Sequence, residues 1–166
     1  MLNDLGGLDL LVPSAANFER VELHAITAEN FTRALHTNTL APFYLARRAA
    51  AALRAARGCI VFITCASRVT PYRNYLPYEL SKAALHQMMR VLALELAPEV
   101  RVNAVAPGTV LPPADMSADV VAALAQRIPL APARSAHSVA DAVLYLARAG
   151  FVTGTEILVD GGRSIA

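Results

Sequence analysis

Four short runs of almost unbroken apolar, β-prone residues, separated by helical patterns, fix most of what this sequence can fold into. They read LDLLV at Leu8–Val12, CIVFIT at Cys59–Thr64, RVNAV at Arg101–Val105 and EILVD at Glu156–Asp160. A strand without a polar face has to be covered on both sides, which is the condition of a parallel sheet between helices. The helical patterns run over Thr27–His36, Asn38–Arg57, Pro77–Leu96 and Ser138–Ala149. Thr27 with Asn30 three residues on forms an imperfect capping box, and Gly58 is placed to cap the second helix. Pro77 sits in a first turn, where a missing N–H costs nothing. Strand and helix in alternation predict parallel βα units. The fold class expected is therefore α/β: a doubly wound, Rossmann-like, three-layer parallel sheet of about four strands.

Length and composition narrow the alternatives. A chain of 166 residues suffices for one domain with a real core and is short for two. Hydrophobic residues make up 55% and charged residues 17%, which excludes a disordered polymer. The 15 basic residues against 13 acidic ones leave a net charge of +2, too little for a nucleic-acid-binding stripe. No apolar run reaches the roughly 18 residues of a membrane span, and the first residues lack the pattern of a signal peptide. Cys59 and Cys65 are six positions apart on one strand and its exit, about 20 Å at strand rise, too far for a disulfide. A reducing, cytoplasmic setting is expected. His24, His36, His86 and His137 show no metal-ligand spacing.

Lys82 is the only lysine, all other basic residues counted above being arginine. It stands in Tyr78-Glu79-Leu80-Ser81-Lys82, four residues after Tyr78 near a predicted helix start, so both side chains share one face. An ammonium beside a phenol favours the phenolate, making the tyrosine a usable acid or base near neutral pH. Taken alone, the spacing is better described as a half-buried tyrosine beside a lysine with its ammonium at the surface, since five-residue matches are common. Three further features bear on the choice. Asn38 precedes Pro42 by four residues, and since proline offers no N–H, the Asn38 carbonyl is freed from the helix ladder and can hold a water. Thr64-Cys65-Ala66-Ser67 follows one strand and Pro107-Gly108-Thr109-Val110 follows the next, at the edge where parallel sheets bind ligands. No Gly-rich pyrophosphate turn or P-loop follows any strand.

Together these residues resemble the short-chain dehydrogenase/reductase family. The resemblance rests on Asn38-Thr-Leu-Ala-Pro-Phe, Ile60-Val-Phe-Ile-Thr-Cys, Tyr78-Glu-Leu-Ser-Lys82, Arg101-Val-Asn-Ala-Val-Ala-Pro-Gly108 and Val152-Thr-Gly with Val159-Asp-Gly-Gly162. It covers about Leu8 to Ser164 and looks like the family's later two-thirds, closest in appearance to pteridine-reductase-like members. It implies that Tyr78 protonates a substrate carbonyl or imine and that Lys82 lowers the tyrosine pKa and holds the nicotinamide ribose. Asn38 would position a water in the proton relay. Ser14, Ala15 and Pro107 to Val110 would line an NAD or NADP molecule. The implied partners are a small carbonyl or pteridine-like substrate and further copies of the chain, as a homodimer or homotetramer through the helices Asn38–Arg57 and Pro77–Leu96. Neither nucleic acid nor membrane is implied.

The sequence departs from the family pattern in three ways. The opening βα units, with their Gly-rich turn, are not in it, so it enters at the fourth strand as a partial domain. The exit of that strand reads Pro13-Ser14-Ala15-Ala16 instead of Asn-Asn-Ala-Gly. The substrate-orienting Ser, thirteen residues before the tyrosine, is Cys65, and a thiol is the weaker donor. Two functions stay open on this reading: a reductase retaining Asn38, Tyr78 and Lys82, and a catalytically silent partner subunit. A flavodoxin-like nucleotide-binding module is disfavoured by the Tyr–Lys pair.

Overall fold

The four apolar runs become four parallel strands laid side by side in chain order. The structure, a computed structural model, describes residues 7–110, 117–130 and 135–166. The strands are β1 (Leu10–Leu11), β2 (Cys59–Ile63), β3 (Arg101–Pro107) and β4 (Glu156–Val159), in sheet order β1-β2-β3-β4. Ile60 lies opposite Val102, and Ala104 opposite Glu156. The first run yields only two strand residues of the five expected. Pairing reaches from Leu10 to Leu11, and Pro13 then removes an N–H that a longer ladder would need. The third run extends two residues further than expected, to Pro107.

Side chains alternate across the sheet as the strand period requires. Ile60, Phe62, Val102 and Ala104 face one layer and pack with Ala46, Leu53, Leu85 and Met89. Cys59, Val61 and Val105 face the other and pack with Val143 and Leu146. The first layer holds α2 (Ala41–Ala56) and α3 (Leu76–Glu95); the second holds α5 (Ala136–Arg148). The chain also forms α1 (Ala28–Leu35) and α4 (Ala118–Ala125), the second of which has no counterpart among the helical patterns of the sequence.

Two helix boundaries differ from expectation for local reasons. The helices over 27–36 and 38–57 are one continuous rod, α1 running into α2 through a π-helical turn at His36–Leu40. The capping box at its start is complete: Asn30 N–H donates to Thr27 Oγ1 and Thr27 N–H donates to Asn30 Oδ1. At its end Arg57, not Gly58, takes the left-handed conformation, with φ of 49°. Gly58 serves close approach instead, since a Cβ there would meet the Asp9 carbonyl oxygen at 2.5 Å. At the far side of the sheet, Arg101 donates to the carbonyls of Leu146, Ala147 and Ala149 at 2.6–2.9 Å. That places a cation on the negative end of α5 and satisfies carbonyls the helix leaves free.

Both cysteines are free and buried. No helix among the described residues is long and apolar enough to cross a membrane. Among the same residues no group of three or more His, Cys, Asp or Glu side chains could hold a metal ion.

Candidate active site

The site begins with the first turn of α3. Tyr75 precedes the helix with non-helical backbone, Pro77 fits the first turn, and Tyr78 and Lys82 follow one turn apart on the face turned to the carboxyl ends of the strands. Both side chains are buried, at 7% and 6% exposure. The Lys82 ammonium donates to the Ile63 carbonyl at the end of β2, 2.8 Å away, and lies 5.8 Å from the centre of the Tyr78 ring. An ammonium has three N–H donors, so donors remain for a ligand.

The electrostatics differ from the sequence expectation. Burial pushes the Tyr78 phenol above its ordinary value, and the neighbouring Cys65 thiol adds to this. The same burial lowers Lys82 to about 8. The expected acidification of Tyr78 by Lys82 is therefore not the dominant effect. Desolvation disfavours both charged forms, and the ammonium is drawn toward the Ile63 carbonyl.

Asn38 lies behind this pair, fully buried in the π-helical turn. Its Oδ1 accepts from Asn17 N–H at 2.7 Å. Its Nδ2 donates to the Asn17 carbonyl at 2.9 Å and to Ser81 Oγ at 2.8 Å, while Ser81 Oγ donates to the Tyr78 carbonyl at 2.6 Å. One side chain thus ties the loop after β1, the kinked rod and α3 together. Pro42 stands four residues on, in the first turn of α2, where it has no N–H for the Asn38 carbonyl.

In front of Tyr78 opens a cavity of about 490 Å3, the size of an ordinary small-molecule site. Of the residues singled out in the sequence, Ser14, Cys65, Tyr78, Lys82, Pro107, Gly108 and Thr109 line it. Ala15 and Asn38 are not among its lining residues, and Val110 lines a neighbouring hollow with Thr109, Val159 and Asp160. Gly108 is needed where it stands, because a Cβ would meet Cβ of Asp160 at 2.7 Å. Cys65 Sγ accepts from Ser67 N–H at 3.4 Å and so caps the short 3-10 turn Ala66–Arg68.

Sequence reasoning missed an aromatic wall and a charge cluster around Glu156. Phe18 stacks on Tyr75 at 4.4 Å and meets Tyr78 edge-on at 4.6 Å and Tyr72 edge-on at 6.4 Å. Its only sequence signal is tyrosine recurring at 72, 75 and 78. Arg163 lies 5.1 Å over the Tyr72 ring and donates to Thr109 Oγ1 at 2.7 Å. Glu156, its side chain 4% exposed, accepts from Thr64 Oγ1 at 2.6 Å and from Arg68 at 2.5 Å. It also meets His86 Nδ1 at 3.0 Å. His86, in α3, thus forms half of a contact with Glu156 of β4.

Fold and site together define a Rossmann-like α/β protein with a Tyr–Lys pair at the carboxyl edge of its sheet. The chain belongs to the short-chain dehydrogenase/reductase family. The family model described as enoyl-(acyl carrier protein) reductase matches residues 1–164. The chain is 36% identical over 159 residues to protein FixR of Bradyrhizobium diazoefficiens, covering 92% of this chain and 56% of that protein. It is 37% identical over 140 residues to pteridine reductase 1 of Leishmania tarentolae, covering 78% and 48%. A solved short-chain dehydrogenase/reductase from Brucella melitensis superposes with a TM-score of 0.87 at 29% identity, covering 99% of this chain and 67% of that one. The chain thus spans about half the length of these two curated relatives.

Proposed function

We propose that this chain carries the reacting half of an NAD- or NADP-dependent oxidoreductase that reduces a carbonyl or imine, with Tyr78 as proton donor. The observation that carries the reading is the pairing of buried Tyr78 and Lys82 on one cavity with Pro107, Gly108 and Thr109 at the strand ends. The residues present fit a nicotinamide riboside. A buried ammonium with donors to spare suits ribose hydroxyls, and the apolar shelf of Ile63 and Pro107 suits a flat ring. When bound, the dihydronicotinamide supplies hydride. Tyr78 then protonates the oxygen or nitrogen of the substrate, Lys82 holds the ribose and compensates the phenolate left behind, and Asn38 keeps α3 in register with the loop after β1. Phe18, Tyr72 and Tyr75 exclude water from the reacting atoms.

A small carbonyl or pteridine-like substrate is in keeping with the cavity volume and its aromatic wall. A further copy of the chain is the partner we propose for α2 and α3, whose outer faces expose Tyr44, Leu45, Leu80 and Leu94. The free thiols suit a reducing cytoplasm.

Titration calorimetry with NADPH and NADH, followed by a carbonyl reduction assay on wild type and Tyr78→Phe, tests the reading. Cofactor binding, turnover by the wild type and its loss in a folded Tyr78→Phe protein are expected. No binding at millimolar cofactor removes the reductase reading for this chain. What then stands is a silent partner subunit.

A further inference from the structure

Reduction of a carbonyl puts negative charge on its oxygen, and a site that stabilises developing charge aims preorganised donors at it. At this cavity Tyr78 is one donor. The neighbouring position at the end of β2 is Cys65, whose thiol is a weak donor and already accepts from Ser67 N–H. Thr109 Oγ1 accepts from Arg163, which fixes the oxygen and leaves its O–H as a donor. Two further phenols, Tyr72 and Tyr75, line the cavity with Tyr78; Tyr75 is stacked on Phe18, and Tyr72 shares the wall with Cys65 and Thr109.

We propose that the Tyr72 hydroxyl is the second hydrogen-bond donor to the substrate oxygen, doing what the thiol at position 65 does poorly. This deepens, and rests on, the reductase reading above. Four observations hold the phenol in place. Tyr72 N–H donates to the carboxylate of Glu79, the residue after Tyr78, so the two tyrosines are coupled through α3. The Arg163 guanidinium covers the Tyr72 ring at 5.1 Å, an attraction of ring face and cation. Phe18 buttresses the ring edge-on at 6.4 Å, and Tyr75 does so at 6.2 Å. Tyr72 lines the same cavity as Cys65, Tyr78 and Thr109. Burial, the largest cause, also raises Tyr72 to about 12, so it stays a protonated donor at neutral pH. In the step itself hydride arrives at the carbonyl carbon, the C=O π pair moves to oxygen and Tyr78 gives up its proton there. Tyr72 donates a hydrogen bond throughout and keeps its proton.

The test uses Tyr72→Phe, Cys65→Ser and the double variant on the full chain. Phenylalanine keeps the ring that Arg163 and Phe18 pack on, so the fold is preserved. One readout needs no cofactor: binding of 4-nitrophenolate, an oxyanion probe, followed by its absorbance. The wild type is expected to bind it, Tyr72→Phe to bind at least about tenfold more weakly, and Tyr72→Phe/Cys65→Ser to regain most of the loss. The second readout is reduction of 4-nitrobenzaldehyde with NADPH, where Tyr72→Phe lowers kcat about 100-fold with KM changed only a few-fold, and Cys65→Ser restores it. Equal probe binding by Tyr72→Phe and wild type, or none by the wild type, overturns the proposal. If wild type turns over and Tyr78→Phe does not, while Tyr72→Phe matches wild type, the reductase reading stands and the role of Tyr72 falls. If the probe follows the expected order without any turnover, Tyr72 is the donor and the reductase reading falls.

Discussion

Asn38 donates to Ser81 Oγ at 2.8 Å across 43 positions of sequence, and this is the contact that sets α3 against the kink of the α1–α2 rod. Because Ser81 lies between Tyr78 and Lys82, an error in this contact is an error in the placement of both. Asn38 sits in the π-helical turn with its side chain buried. A π-helical turn of this kind inserts an extra residue into the helical ladder and is frequent at functional sites.

Asn38→Ala removes the three hydrogen bonds its buried amide makes with Asn17 and Ser81. Leaving buried donors and acceptors unpaired costs about 1–3 kcal/mol each before relaxation. A destabilisation of about 2–4 kcal/mol is expected in urea unfolding. A loss below about 0.5 kcal/mol shows that water replaces the amide and that the clamp is dispensable.

Lys82→Met changes the pH dependence of stability. Lys82 titrates near 8 in the folded chain and at 10.5 as a free side chain. Between these values the unfolded state binds more protons, so wild-type stability rises with pH. The gain is about 1–3 kcal/mol. Near pH 10 the raised tyrosines begin to oppose it, since folded Tyr78 and Tyr72 hold protons that the unfolded chain releases. The methionine variant is expected to lose this rise, its stability falling toward pH 10 as buried Cys59 and then the tyrosines keep protons that the unfolded chain releases. A profile that rises as steeply as wild type assigns the slope to another group.

Glu156→Gln tests the acid limb. Hydrogen bonds from Thr64, Arg68 and His86 outweigh burial and hold the Glu156 carboxyl below its usual value. Its stabilisation is full above the ordinary carboxylate pKa and is lost as pH falls through the lower folded value. Wild type is expected to lose about 1–2 kcal/mol more than Glu156→Gln between pH 6 and pH 3. Parallel loss in the two proteins shows that this cluster does not govern acid sensitivity.

Much of the fold could be read in advance because its cause is local. Unbroken apolar runs demand cover on both faces, which gave the parallel strands, their number and the flanking helices. The Tyr78–Lys82 pair followed from one turn of helix, and Cys65 and Pro107 to Thr109 from their position just past strand ends. What the sequence alone did not determine lies in contacts between distant segments. The continuous rod through His36–Leu40, Gly58 packed on Asp9 and Glu156 holding Arg68 and His86 all join pieces that local propensity cannot bring together. The same is true of the site's electrostatics. Spacing suggested an acidified tyrosine, but the depth at which α3 packs on the sheet buries phenol and ammonium alike. Desolvation, a property of the assembled layers, then decides the direction in which each group titrates.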